Sequence, residues 1–327
     1  MRIAAFFAFA LSAAAAPCTS PADCTEWVTL GGGPSRSLVY RTFPLEAANA
    51  RITRALVVVH GSGRDADNYF RTGAAAAFLA GALDDTLIVS PRFASNAGGC
   101  GDALAPDEVS WSCAGDSWRS GGVSQSHRGL TSFDLADAIL TKLAKRDVFP
   151  NLGRIVVAGH SAGGQFVSRY GMANRVHDTL GVPVVYVVSN PSSYAWPDAL
   201  RPAAPAPRAF GDARNCTTYN NWPYGLEARA GGYTAAASAD QLRKQLAARP
   251  VTYLLGETDI LPLGGFDGSC PAMAQGPTRL ARGQAFAAYV NDKFGARHSV
   301  TLVPLCGHNS RCVFTAEPSL PILFPKQ

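Results

Sequence analysis

Short uninterrupted apolar runs alternate along this chain with stretches whose apolar residues recur every three or four positions. The runs cover residues 54–60, 86–91, 154–159, 183–189, 251–256 and 299–305, and most are rich in Val, Ile and Leu. A segment that is apolar at consecutive positions buries both faces, as strands inside a parallel sheet do. Two earlier segments, 26–30 and 37–41, flank Gly31-Gly32-Gly33-Pro34 and read as an opening hairpin. Residues 127–146 carry Phe133, Ala136, Ile139, Leu140 and Leu143 on one stripe, and 279–294 carry Leu280, Phe286 and Val290, so both predict amphipathic helices. The alternation predicts an α/β protein with a mostly parallel central sheet of about eight strands and helices on both faces. No internal repeat interrupts it, and residues 17–327 read as a single domain.

Two long connections break the rhythm. Residues 92–126 carry Cys100, Trp111, Cys113 and Trp118, and residues 190–245 carry Tyr194, Trp196, Tyr219, Trp222 and Tyr224. Long ordered loops in compact domains are often functional, and the second is read as a lid-like insertion. Trp118, Tyr194, Trp196 and Trp222 are expected to line a substrate cleft. The alternative for each is that it pins an irregular loop to the core.

The run 154–158 leads into Gly159-His160-Ser161-Ala162-Gly163, and residues 164–170 continue as a helix. G-x-S-x-G between a strand and a helix is a nucleophile elbow. A serine at the tip of such a turn holds a strained backbone and crowds the residues two positions either side, which glycine at 159 and 163 relieves. The unpaired N–H groups at the start of the helix favour negative charge developing at the serine.

A serine hydroxyl becomes a good nucleophile when a histidine takes its proton and an acid orients that histidine. An elbow fixes the chain order as Ser, then Asp or Glu, then His, each just beyond a later strand. The run 251–256 is followed by Glu257-Thr258-Asp259, and 299–305 by Cys306-Gly307-His308. Of six histidines, only His177, His298 and His308 follow the elbow. His177 falls in a helical region, and His298 precedes the last strand, at the wrong edge of the sheet. Ser161, Asp259 and His308 are therefore the candidate catalytic residues, with Glu257 and Asp267 as alternatives for the acid. A tetrahedral oxyanion also needs donors. Ala162 N–H supplies one, and the loop His60-Gly61-Ser62-Gly63-Arg64 supplies the other, from Ser62 by preference or from Gly61 or Gly63. His60 and Gly61 are further expected to touch substrate.

In order and spacing, His60-Gly61, the Gly159–Gly163 pentapeptide, Asp259 and His308 resemble the α/β-hydrolase superfamily, its secreted esterases, lipases and polyester-depolymerase-like members in particular. The resemblance implies the α/β-hydrolase fold, cleavage of a carboxylic ester through an acyl-enzyme, and no metal or organic cofactor. A serine peptidase, or a depolymerase for a polyester or plant-wall ester, would use the same residues. An inactive hydrolase fold serving as a secreted binding protein would usually have lost one of the three.

Met1-Arg2, the apolar stretch 3–11 and the small residues 13–16 describe a secretory signal peptide over residues 1–16, too short to anchor in a bilayer. All eight cysteines follow it, as expected in an oxidising compartment. Proximity suggests the pairs Cys18–Cys24, Cys100–Cys113 and Cys306–Cys312, leaving Cys216–Cys270, and no C-x-x-C pair points to zinc. The expectation is an exported protein, extracellular or periplasmic, without integral membrane association. Net charge is +5 with scattered basic residues, which gives no support to nucleic-acid binding. The expected partner is a small-molecule or polymeric ester, and the oligomeric state is left open. Asn215-Cys216-Thr217 would be an N-glycosylation sequon in a eukaryotic secretory pathway.

Overall fold

The computed structural model describes residues 16–115, 117–203, 209–213 and 215–326. The expected signal peptide, Ala16 apart, lies outside them. The strands are β1 (Thr25–Thr29), β2 (Arg36–Arg41), β3 (Arg54–Val59), β4 (Thr86–Pro91), β5 (Arg154–His160), β6 (Val184–Ser189), β7 (Leu200–Pro202), β8 (Phe210–Asp212), β9 (Val251–Gly256) and β10 (Ser299–Val303). Eight of them form one sheet in the order β1-β2-β4-β3-β5-β6-β9-β10, and β7 and β8 form a separate antiparallel pair. The opening hairpin is antiparallel, as is β2 against β4, and every pairing from β4 across to β10 is parallel.

The continuous apolar runs divide their residues between two cores by simple alternation. Ala55, Val57, Val59, Ile155 and Val157 enter one cluster, while Leu56, Val58, Val156 and Ala158 enter the other. This is the two-residue period of a strand covered on both sides. The helices that cover it are α1 (Ala66–Leu79), α2 (Ser132–Leu143), α3 (Ala162–Ala173), α4 (Ala239–Ala248), α5 (Cys270–Met273), α6 (Arg279–Phe294), α7 (Ser310–Thr315) and α8 (Leu320–Leu323). Phe133 of α2, Phe166 of α3, Leu242 of α4 and Phe286 of α6 fill the first core, and Phe70 of α1, Phe314 of α7 and Leu323 of α8 fill the second. The result is the predicted α/β arrangement.

The boundaries differ from expectation for local reasons. The helix expected over 127–146 shrinks to α2 because Gly129 takes a positive φ and Thr131 caps the helix, exchanging hydrogen bonds with Asp134 in a capping box. The last strand stops at Val303, since Pro304 has no N–H to continue the ladder. Helix α1 had no visible signal: its alanine run, residues 74–77, puts the same residue type on buried and partly buried positions, and Phe78 and Leu79 at its end are exposed.

The four cysteine pairs are Cys18–Cys24, Cys100–Cys113, Cys216–Cys270 and Cys306–Cys312. The last spans a separation of six residues and encloses His308. Closing so small a ring removes about 2 kcal/mol of chain entropy from the unfolded state. Replacing Cys306 and Cys312 together by Ser is expected to lower the unfolding free energy by about that amount, measured by urea titration, with the circular dichroism spectrum preserved.

Candidate active site

Ser161 lies between β5 and α3 with φ 58° and ψ −119°, a positive-φ conformation that side chains rarely adopt. The turn closes because its flanking glycines leave room. A Cβ on Gly163 would stand 2.2 Å from the carbonyl oxygen of Val59, and one on Gly159 would stand 2.3 Å from that of Gly163. Helix α3 can therefore press its first turn against the carboxyl ends of β3 and β5.

Around this serine the structure assembles groups from three further strand ends. Ser161 Oγ lies 2.9 Å from His308 Nε2, and His308 Nδ1 lies 2.8 Å from Asp259 Oδ2. A carboxylate only accepts, so Nδ1 carries the hydrogen and Nε2 accepts from the serine hydroxyl. Asp259 is buried and accepts from three side-chain donors: His308 Nδ1, Asn190 Nδ2 at 2.6 Å from Oδ2, and Arg279 Nη1 at 3.4 Å from Oδ1. The two alternative acids are turned elsewhere. Glu257 accepts from the backbone N–H of Leu305, and Asp267 accepts from Tyr224 Oη and Ser269 N. His177 binds Tyr186, and His298 is buried between Tyr253 and the Leu246 carbonyl.

Asn190 and Arg279 were not anticipated. Asn190 follows β6, itself at φ 45°, and ties Asp259 to Gly256 N–H through its Oδ1. Arg279, fully buried at the start of α6, also donates to Ser192 Oγ and to the carbonyls of Leu263 and Gly264. A polar residue directly after a strand was the only sequence trace of the first, and nothing in helical periodicity marks the second, because an arginine on an amphipathic helix is normally read as solvated.

Ala162 is the first residue of α3, so its N–H belongs to the unpaired donors of a helix N-terminus. Across from it, a Cβ on Gly61 would stand 3.8 Å from Ser161 Cβ, which sets the His60–Arg64 loop against Ser161. His60 does not border the cavity. Its ring is fully buried, with Nε2 accepting from Phe93 N at 3.1 Å and Nδ1 donating to Gly61 O at 2.8 Å. A carbonyl and the following N–H point oppositely across a trans peptide, so fixing Gly61 O toward the ring directs the Ser62 N–H away from it. Burial lowers the His60 pKa to about 4, with the nearby Arg64 and Arg92 cations adding to the effect.

A cavity of about 300 Å³ opens at Ser161, lined by Gly61, Ser62, Tyr69, His160 and His308 among others. The aromatic residues expected to line it are elsewhere. Tyr194 stacks on Phe286 at 4.5 Å, Trp196 packs on Phe286 and Tyr289, and Trp118 stacks on Phe93 at 5.0 Å, all buried in the core. Trp222 is half-buried and donates to Ser120 O, beside a separate cavity. Each large ring gained more from burial than a wet cleft offers, so these are corrections to the expected pocket. None of the described residues of 190–245 lines the Ser161 cavity. The wall instead includes Asp65 and Tyr69 of the α1 entry, with Tyr69 Oη 3.2 Å from His160 Nδ1. His160 packs its ring 4.7 Å from that of His308, and burial, with the neighbouring His308 and Arg279, keeps it well below its ordinary pKa. Among the described residues no cluster of three His, Cys, Asp or Glu is placed to hold a metal.

The sequence matches the model of the alpha/beta hydrolase family over residues 56–320, and the chain belongs to that family. Among solved structures it is similar to poly(aspartic acid) hydrolase-1 from Sphingomonas sp. KT-1, with a TM-score of 0.64 and 22% identity over 92% of this chain and 98% of that one. It is also similar to LpqC, a poly(3-hydroxybutyrate) depolymerase from Bordetella parapertussis, with a TM-score of 0.60 and 21% identity over 88% of each chain. At these identities the likeness establishes the fold. No curated protein matches the sequence.

Two outcomes follow from the buried ionisable groups. Arg279→Met leaves the Asp259 carboxylate short of its cation, and breaking a buried pair from one side costs about 3–5 kcal/mol. Urea titration should read that loss, and Lys at 279 should not restore it, because an ammonium cannot span the serine and the two carbonyls together. His60 titrates near 4 when folded against an ordinary 6.5, so between these values the unfolded chain binds a proton that the folded chain refuses. Its contribution, roughly 3 kcal/mol, is complete above pH 6.5 and drains away as the pH falls toward 4. Unfolding free energies measured across that window should fall less steeply in His60→Gln.

Proposed function

We propose that this protein is an exported serine esterase, in which Ser161 is the nucleophile, His308 the general base and acid, and Asp259 the group that orients the histidine. The observation that carries the reading is the unbroken relay from Ser161 Oγ to His308 Nε2 at 2.9 Å and from His308 Nδ1 to Asp259 at 2.8 Å, set at a helix N-terminus. In the reaction Ser161 Oγ bonds to the ester carbonyl carbon as its proton passes to His308 Nε2. The carbonyl oxygen takes the negative charge and is met by the amides of Ala162 and Ser62, where loss of one donor typically costs about 3–4 kcal/mol of transition-state stabilisation. Collapse breaks the bond to the alkoxy group, which leaves as the alcohol with the proton from His308. Water, deprotonated by the same imidazole, then releases the acid and restores the serine.

The cavity of about 300 Å³ and its lining of glycine, serine and histidine suit a short acyl unit. Export is supported by the N-terminal signal-like segment and the four cysteine pairs. No helix among the described residues is long and apolar enough to cross a membrane.

A series of p-nitrophenyl esters from acetate to palmitate tests the assignment. The wild type should favour the shortest acyl chains, and Ser161→Ala should lose about 10⁴-fold or more in kcat while keeping its unfolding midpoint. Turnover retained by that variant would remove Ser161 from the chemistry.

A further inference from the structure

The loop that follows Asp259 breaks the usual polarity of a surface. Ile260, Leu261 and Leu263 are exposed by 52%, 56% and 60%, and Pro262 between them is exposed as well. No charged residue interrupts the stretch from Ile260 to Phe266. Leu305, 87% exposed, belongs to the same region, because Thr258 N–H donates to the Cys306 carbonyl at 3.0 Å and joins the two loops at that point. Singly exposed leucines need no explanation, but a contiguous apolar strip on a soluble surface marks a site of contact.

The backbone at the C-terminal end of this strip is anchored. Arg279 binds the carbonyls of Leu263 and Gly264, Ser192 Oγ donates to Gly265 O, and Arg282 donates to Asp267 O while its guanidinium covers the Phe266 ring at 4.4 Å. The carbonyls of Leu263, Gly264, Gly265 and Asp267 are thus fixed, which anchors the C-terminal end of the ridge, while the side chains of Ile260, Leu261 and Leu263 stay exposed. The strip also runs directly into the wall of the cleft. A Cβ on Gly264 would stand 3.1 Å from His308 Cδ2, and one on Gly265 would stand 3.3 Å from Ser62 Oγ. The loop therefore passes from the acid, beside the base, to the neighbourhood of the oxyanion amides.

We propose that the ridge from Ile260 to Leu263, with Leu305, is the docking strip for the aliphatic chain of a polymeric ester, laid across the mouth of the Ser161 cavity. The proposal rests on the esterase reading and assigns its substrate class. The cavity is small and polar, so an aliphatic chain longer than one short unit must continue outside it, and the ridge is the apolar surface that begins where the cavity wall ends. A second copy of this chain seated on the ridge would close the mouth over Ser161, which favours substrate as the occupant.

Adsorption is measured on polycaprolactone particles in the Ser161→Ala background, where binding is read without turnover, and hydrolysis of the particles and of p-nitrophenyl acetate is measured in the active protein. In Leu261→Ser/Leu263→Ser the affinity for particles should fall about tenfold, as expected for losing part of the contact of two leucines. The ratio of particle hydrolysis to acetate hydrolysis should fall with it. Leu305→Ser, at a side chain too exposed to matter for folding, should lower the same ratio by a smaller factor. Unchanged adsorption in both variants would overturn the proposal. So would an equal loss on particles and acetate, a wild-type dimer that the leucine substitutions turn into a monomer, or adsorption to phosphatidylcholine vesicles in place of the particles. Leucine-dependent adsorption by a wild type that cleaves no ester would overturn the esterase reading and leave the ridge standing as a binding surface.

Discussion

The backbone contact between the first turn of α3 and the carboxyl ends of β3 and β5 sets the frame of the site, since the helix N-terminus, Ser161 and the His60–Arg64 loop all meet there. It exists only because residues 159 and 163 have no side chain, each Cβ being excluded by a carbonyl little more than 2 Å away. The positive φ of Ser161 costs about 1–3 kcal/mol. Against this, every residue of α3 is buried, and full burial of Phe166, Val167 and Met172 contributes about 1.5–3 kcal/mol each. The burial of α3 therefore outweighs the strain.

Asp259 is the second fixed point. Its carboxylate joins β6 through Asn190, α6 through Arg279 and the loop after β10 through His308. A buried carboxylate without such partners would carry a large desolvation penalty. With them it is a junction in which the cation that neutralises the acid also grips the loop carrying the apolar ridge. Displacing the ridge therefore means pulling on the carboxylate hydrogen-bonded to His308, so the ridge and the Ser161–His308–Asp259 relay share one mechanical support.

Most of the sheet was legible because a buried parallel strand writes itself as consecutive Val, Ile and Leu, as at 54–59 and 154–158. The elbow was legible because Gly159 and Gly163 have a steric reason to be glycine, and chain order then narrowed the histidines to His308. What stayed hidden depends on long-range packing. Nothing local distinguishes Trp196, sealed against Phe286 and Tyr289, from a tryptophan facing substrate. Arg279 reads as a surface cation until the fold wraps Asp259 and the 263–264 carbonyls around it. His160 and Tyr69 became neighbours only when α1 was placed beside the elbow, and α1 itself left no periodic trace in its alanine run.

The order of strands also acts as a ruler. Neighbouring strands stand about 4.8 Å apart, and β5 is separated from β10 by β6 and β9. The segment after Val303 must therefore arch back over roughly 14 Å of sheet to deliver an imidazole to Ser161, and it has only Pro304 to Gly307 in which to do so. Leu305 takes a φ of 59° within that arch, and the Cys306–Cys312 bridge closes behind it. Length is thus the fixed quantity in this segment. An added or deleted residue there moves the His308 imidazole by a full backbone step.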